Sequence, residues 1–572
     1  MLKLSNVVKD YQIGSEKIRV LDGVSFTVEN GEILGITGRS GSGKTTLLKI
    51  IRGVEKFDSG MIELNGDIVT PESGYEGIRF LNLNTAIHLQ RSFGLWAGPA
   101  IENIIRKLNF LYSGDESLPS TESPYYEELY KTALTYLKLV GLEKKALHSA
   151  NFLSGGEKQR LILARQLAAK PRVLLLDEPV TMTGPDTKQE ILDIIKYLKK
   201  RLNIPIIVIS HLPEIHMYLS DRVIYLENQE IIDEDEPEKV LKNFLQKLPP
   251  SVNLLEINNK EPCIKVQNIS KRFALIRVGE VLNIRDLSLD INKRDITAFI
   301  GSSGAGKTTL LKLIEGLHEP NNGRICYLHN DDWVDISHFS LQRMELRRKI
   351  SMMHQEFTLS PHSTVREQIA FKLRIKKEGA IEHARKKAHE FGISDELLDI
   401  IYKLPDMSED EKSDILQKLG ISENIYCELF PEVNQENVEK YAREVFSALD
   451  LPIEVLDKTT NQLSGGEHVR AFIALAMSTS PEILMLDEPF GDLDPITLRD
   501  VTNSLKSINK NFGTTIVLVS HHMDFVKEVA HRAVLIDNGK IEMDGKPDEV
   551  CQYFIGLSNA VYLNQTIEDL AN

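Results

Sequence analysis

The chain has 572 residues, 42% hydrophobic and 26% charged, so it is too long for one core; at roughly 100–200 residues per domain it would hold about three or four globular units. Its net charge of −15 disfavours a general grip on nucleic acid, which needs clustered Lys and Arg to neutralise phosphates. No apolar run approaches the ~18 residues of a membrane span and the start, MLKLSNVVKDY, lacks a signal peptide's basic-then-apolar order, so a cytoplasmic location is expected.

The first 30 residues alternate apolar and polar positions, as antiparallel strands with one packed face do. An apolar strand, Ile33 to Thr37, then runs into Gly38, Arg39, Ser40, Gly41, Ser42, Gly43, Lys44, Thr45 and Thr46, and Leu47, Leu48, Ile50 and Ile51 carry a helix out of it. Strand, glycine-rich loop and helix together form a phosphate-binding loop in its required context. Backbone N–H groups must wrap a triphosphate, and Gly lets the chain curl that closely. Lys44 then reaches the β and γ phosphates, Thr45 offers its hydroxyl to Mg2+, and the helix start adds partial positive charge.

Gln90 follows in AIHLQRSF. Next, LSGGEKQRLILARQLAAKPRVLLLDEP (Leu153 to Pro179) joins a helix opening, Ser154, Gly155, Gly156 and Glu157, to an apolar strand that ends at Asp177 and Glu178. A continuous apolar run suits a buried parallel strand, whose carboxyl end is where ligands sit. There Asp177 can orient the Mg2+ hydration shell and Glu178 can polarise an attacking water as general base. His211 ends a further buried strand 34 positions after Asp177, placed to meet a γ-phosphate.

The whole series then returns, which reduces the chain to two copies of one machine. Gly301, Ser302, Ser303, Gly304, Ala305, Gly306, Lys307, Thr308 and Thr309 form the second loop. Gln355 stands in SMMHQEF; Ser464, Gly465, Gly466 and Glu467 open the second LSGGE helix; Asp487 and Glu488 end its strand; His521 again lies 34 positions on. The offset between copies is 263 at the lysines, 265 at the glutamines and 310 from LSGGE onward, which localises a 45-residue insertion between Phe357 and Asp457. Ser394 ahead of DELLDIIYKL, and Ser408 with Glu411 ahead of KSDILQKL closed by Gly420, mark short capped helices in it. They are either self-packing decoration or a partner-docking surface.

Pro249-Pro250 and an Asn-rich run mark a connection. The expected division is a first domain at 1–250, a linker at 251–262, a second domain at 263–550 with its insertion at about 375–440, and a tail at 551–572. The four cysteines, Cys263, Cys326, Cys427 and Cys551, lack C-x-x-C spacing, which argues against a cluster, zinc site or disulfide framework. Free thiols, or one metal-binding cysteine at a partner interface, remain open.

The doubled phosphate loop, Gln, LSGGE, LLLDE and His resemble the ATP-binding cassette (ABC) ATPases over nearly the whole chain. The resemblance implies an α/β fold of two tandem cassettes, each a phosphate-loop NTPase sheet with an antiparallel β subdomain and a helical subdomain, working on ATP and Mg2+. It also implies head-to-tail closure. One nucleotide would then lie between Gly38 to Thr46, Gln90, Asp177, Glu178 and His211 and the LSGGE at Ser464 to Glu467. Its twin would lie between Gly301 to Thr309, Gln355, Asp487, Glu488 and His521 and the LSGGE at Ser154 to Glu157. Thr45, Gln90 and Asp177, and likewise Thr308, Gln355 and Asp487, would face Mg2+. Tyr11 and Phe273 stand where such proteins stack the adenine, with core packing as the competing reading.

One departure separates the halves: DEPFGDLDP in the second carries Asp494 ahead of Pro495, whereas DEPVTMTGPD in the first has Gly184 ahead of Pro185. Unequal sites are therefore expected, the weaker built on Lys307. That acid-free loop, GRSGSGKTTLLKIIRGVEKFDSG, VISHLPEIHMYLSDRVIYLENQEIIDEDEP and the enlarged second half resemble the ATP-dependent A-two components of the methyl-coenzyme M reductase system. This implies a cytoplasmic archaeal ATPase working with a reductase-activation complex that brings a nickel cofactor to Ni(I), the redox groups belonging to partners. A fused ATPase subunit of an importer, with membrane permease partners, ranks second. A ribosome-associated twin cassette ranks third, since the chain lacks the long basic linker or the cysteine-rich domain of those factors.

Overall fold

The strands Ile33–Thr37, Val173–Asp177 and Ile206–Ile209 are buried at every residue, which is why their sequences are continuous apolar runs: both sheet faces are covered. The computed structural model describes residues 1–572 apart from 14–15, 89–93, 181–183, 276–278, 355–358, 378, 405–414, 416, 420–422, 489, 491–492 and 565–572. Ser408, Glu411 and Gly420 thus lie outside the described residues.

The chain divides into two units. The first is Met1–Leu248 with Asp492–Ile496 and Ser558–Asn572; the second is Pro249–Gly491 with Thr497–Leu557. Two short C-terminal pieces therefore fold with the N-terminal half.

In the first unit six strands run in the order Glu230–Asp235, Arg222–Glu227, Ile33–Thr37, Ile206–Ile209, Val173–Asp177, Thr85–His88. The inner pairings are parallel, Ile33 and Leu174 both facing Ile206, and the Glu230–Asp235 edge is antiparallel. A separate four-stranded sheet, Glu16–Val28, Leu2–Ile13, Ser59–Leu64 and Asp67–Val69, shares a core with the helix Lys44–Ile51 through Leu2, Val24, Leu47 and Ile50. The other face of the large sheet packs on the helices Ala100–Ser113, Pro124–Leu139 and Gly155–Ala168, with Ile104, Leu137, Leu163 and Leu174 in one cluster. Ala560 and Tyr562 are buried in that same cluster, and the Tyr562 N–H donates to Gln189 Oε1 at 3.0 Å. Residues 551–564 are thus no bare tail: the helix Pro547–Ser558 includes the first of them.

The second unit repeats the plan, with strands in the order Ile350–Met353, Ile483–Asp487, Thr515–Val519, Ile296–Ile300, Arg532–Asp537, Lys540–Gly545. Its antiparallel sheet is Gly279–Asn292, Pro262–Leu275, Asn322–His329, Asp332–Asp335. The connection between the halves has no regular structure over 249–261 but is pinned to the second unit. Asn503 Oδ1 accepts from Val252 N–H at 2.9 Å, and Lys506 Nζ donates to Ser251 Oγ at 2.8 Å.

The inserted region contains helices Ala380–Glu390, Asp395–Lys403 and Glu423–Leu429, and the Ser394 Oγ caps the second by accepting from Leu397 N–H. It is anchored by buried charge. Arg343 and Arg347, on the helix Leu341–Arg348, reach Asp399 at 2.7 and 3.3 Å, and Lys403 reaches it at 3.3 Å. Burial pushes the Asp399 carboxyl up, but Arg347, Lys403 and Arg343 outweigh it and hold it below its ordinary value. Removing the Asp399 carboxylate would leave these buried cations without their counter-charge, which typically costs ~3–5 kcal/mol, so the contact ties the helix Asp395–Lys403 to the helix Leu341–Arg348.

One packing solution distinguishes the first unit beneath its phosphate loop. His216 is fully buried on the helix Pro213–Leu219; its Nε2 lies 3.0 Å from the Ser210 carbonyl and its Nδ1 3.3 Å from Ser220 Oγ. A Cβ on Gly35 would press into that imidazole and stand 2.6 Å from Ser220 Oγ. The second half places Ala298 and Val526, both buried, at the matching positions. Small-with-large in one half has become medium-with-medium in the other. Gly35→Ala alone is expected to lower the stability of the first unit by about 1–3 kcal/mol. Gly35→Ala with His216→Val restores most of it, as read from urea melts; equal losses in both variants would contradict this packing account.

Candidate active site

In both halves the loop glycines are required by their backbone. Gly38 and Gly301 have φ of 149° and 146°, and a Cβ at either would collide with a carbonyl oxygen of a neighbouring strand, Leu226 or Ile536. The curl brings the loop carbonyls onto the lysine. Lys44 Nζ donates to Gly38 and Arg39 carbonyls at 2.8 Å each; Lys307 Nζ donates to those of Gly301 and Ser302 at 3.0 and 2.8 Å. Burial draws Lys44 down to about 8, against the pull of Glu178, Asp494 and Asp177. An ammonium this buried favours an added anion beside it.

The hydroxyl and carboxylate expected at the metal converge. Thr308 Oγ1 donates to Asp487 Oδ1 at 2.9 Å, and Thr45 hydrogen-bonds Asp177 in the same way. Burial raises both carboxyls, more than the threonines lower them. Two hard oxygens at the mouth of a phosphate loop fit Mg2+, which takes one or two protein oxygens and completes its shell with phosphates and water.

Glu178 and Glu488 both adopt left-handed backbone, φ 50° and 49°, and donate their N–H to the next strand, to Ile209 and Val519 carbonyls at 3.1 Å. Non-glycine residues in that conformation mark strain held by the surrounding fold. The two carboxylates are then used differently. Glu178 Oε1 accepts from His211 N–H at 2.8 Å and its Oε2 from Ser210 Oγ at 3.3 Å, while the His211 ring stands off at 3.5 Å. Glu488 Oε1 instead meets His521 Nε2 at 2.8 Å. Burial opposes ionisation of Glu488, but that imidazole, with the Lys307 and His522 charges, more than offsets it and the carboxyl falls below its ordinary value. Burial and the Lys44 ammonium push His211 down to about 4, so its ring is neutral near pH 7 and its contact with Glu178 is no ion pair.

Both LSGGE segments start helices with the same reciprocal cap. Ser154 Oγ accepts from Glu157 N–H at 3.3 Å while Glu157 Oε2 accepts from Ser154 N–H at 3.0 Å; Ser464 and Glu467 repeat this at 3.3 and 2.9 Å. Each carboxylate also pairs with a lysine, Glu157 with Lys145 at 2.7 Å and Glu467 with Lys458 at 2.8 Å. The glutamates thus brace the helix start, and Ser154, Gly155, Gly156 and their copies present its N–H groups. A Cβ on Gly156 would collide with Thr187, on the helix Pro185–Leu202 that follows the acid-free loop.

Gln90 and Gln355 lie outside the described residues, as does the Phe273 side chain; the Phe273 backbone pairs with Leu282. Tyr11 is half-buried, with the Lys9 ammonium 4.6 Å from its ring centre. Two features escape a linear reading. Asp494 belongs to the first unit, where its Oδ2 accepts from the Ser40 N–H at 3.4 Å and it opposes the depression of Lys44. His216 holds Ser210, which in turn holds Glu178; only the exchange of Gly35 and His216 for Ala298 and Val526 between copies signals it.

The model of the ABC transporter family matches the chain twice, at residues 21–181 and 284–491. An uncharacterised ABC transporter ATP-binding protein of Methanocaldococcus jannaschii is 46% identical over 573 residues, 99% of each chain. A second protein of that description from the same organism is 32% identical over 588 residues, 96% of each chain. Among solved structures, an RNase-L inhibitor aligns over 97% of this chain and 93% of its own, with a TM-score of 0.58 at 18% identity, a likeness of fold. No helix among the described residues is long and apolar enough to cross a membrane. The chain belongs to the ABC family and is a twin-cassette, ATP-hydrolysing ATPase.

Proposed function

We propose that this twin cassette drives a partner protein by ATP-dependent closure, and that the partner is a methyl-coenzyme M reductase activation complex whose nickel cofactor is reduced to Ni(I). Each ATP, with Mg2+ at Thr45 and Asp177 or at Thr308 and Asp487, is clamped between the phosphate loop of one half and the LSGGE of the other. Glu178 and Glu488 act as general bases, and His211 and His521 face the γ-phosphates. Redox groups belong to the partners; this chain supplies closure.

The observation that carries the reading is the anchored insertion. The helix Asp395–Lys403, held through Asp399 by two buried arginines, belongs to a region the first cassette lacks, and this supports reading it as a docking surface. Full-length relatives from Methanocaldococcus jannaschii support an archaeal setting. The names of those relatives favour a second reading, an ATPase subunit serving membrane permeases.

Native purification from the source cells separates the two. Recovery with reductase-activation proteins is expected; recovery with permease subunits overturns the reading. The sites are also unequal in this account, because Gly184 stands where the second half has Asp494. Glu178→Gln is expected to remove most steady-state ATP turnover, on the order of the 10²-fold or more typical of a lost general base, with Glu488→Gln costing markedly less. Equal losses would refute the inequality.

A further inference from the structure

The strands of the second unit have a second end. At their amino ends, about 16 Å along the sheet from Asp487 and the phosphate loop, a cavity of about 270 Å³ opens. Lys349 and Glu482 each immediately precede a strand there, Thr515 begins one, and Arg294 lies two residues before another. Its floor is apolar: Leu346, Ile350, Val445 and Ile483 are all buried. Met477, the last residue of the helix that LSGGE opens, contributes to the wall.

The rim is cationic. Glu482 is paired with Lys349 at 2.6 Å, and among the described residues neither the Lys293 ammonium nor the Arg294 guanidinium pairs with a carboxylate. Gly513 lies under the Arg294 guanidinium, where a Cβ would come within 3.0 Å of Nε. Three cations thus face one carboxylate across an apolar floor. The fold does not demand this set. At the matching positions of the first half stand Asn30, Gly31 and Asn84 for the three cations and Arg172 for Glu482. Two uncompensated cations over a concave apolar floor match the chemistry of an anion with a hydrocarbon body, the head on the rim and the chain on the floor.

We propose that this cavity binds a small organic carboxylate, at a site separate from both nucleotides. Lys293 and Arg294 receive the carboxylate; Leu346, Ile350, Val445 and Ile483 receive its apolar part. The occupant would rest against the far end of the second LSGGE helix.

Calorimetric titration of the full chain with octanoate, with and without saturating ATP, tests this. Octanoate is expected to bind one per chain, with ATP leaving its affinity unchanged. Lys293→Glu with Arg294→Glu, both exposed positions, is expected to weaken it about tenfold or more while ATP binding is retained. Inorganic phosphate, lacking the apolar body, binds at least about tenfold more weakly than octanoate. Absence of octanoate binding at low millimolar concentration, displacement by ATP, or unchanged affinity in the double variant would each overturn the assignment.

Discussion

A buried ammonium at the carboxyl end of each parallel sheet is the constraint on which the rest depends. Lys44 and Lys307 are each about nineteen-twentieths buried, and their charge is tolerable only because the loop folds its own carbonyls onto them. That curl requires glycine at Gly38 and Gly301, where any side chain would strike the neighbouring strand. The neighbouring carboxylates, Asp177 and Glu178 around Lys44, supply the opposing charge. Loop, strand end and carboxylate pair are therefore one electrostatic unit.

The halves diverge just outside that unit. Glu178 is held by backbone and hydroxyl donors from Ser210 and His211, whereas Glu488 is held by the His521 ring. Beneath the first loop Gly35 and His216 replace the Ala298 and Val526 of the second. Gly184 caps the helix that Asp494 precedes in the copy. The lysine unit is the same in both halves, and the residues that differ adjoin it; the proposed inequality of the two sites rests on those differences.

Much of this was legible in the sequence. Fully buried parallel strands read as apolar runs, the glycine loops follow from local geometry, the LSGGE segments read as helix openings, and the change of offset between copies located the insertion. Ser394 was visible as a cap because a cap is a local hydrogen bond. What escaped depends on contacts between distant residues. Asp399 is an unremarkable acid until Arg343 and Arg347 close on it, 56 and 52 positions away. Tyr562 ends a stretch with no clear periodicity, yet is buried in the core of the first unit. The rim cations come from two separate strand starts and mean nothing until the sheet brings them together.

The most direct test of the central claim, that the chain carries two separate ATP sites each built on its own lysine, is the stoichiometry of ATP binding by equilibrium dialysis. Wild-type protein should bind two ATP per chain, Lys44→Ala and Lys307→Ala one each, and the double variant none. One ATP per chain in the wild type, or loss of both in either single variant, would contradict it.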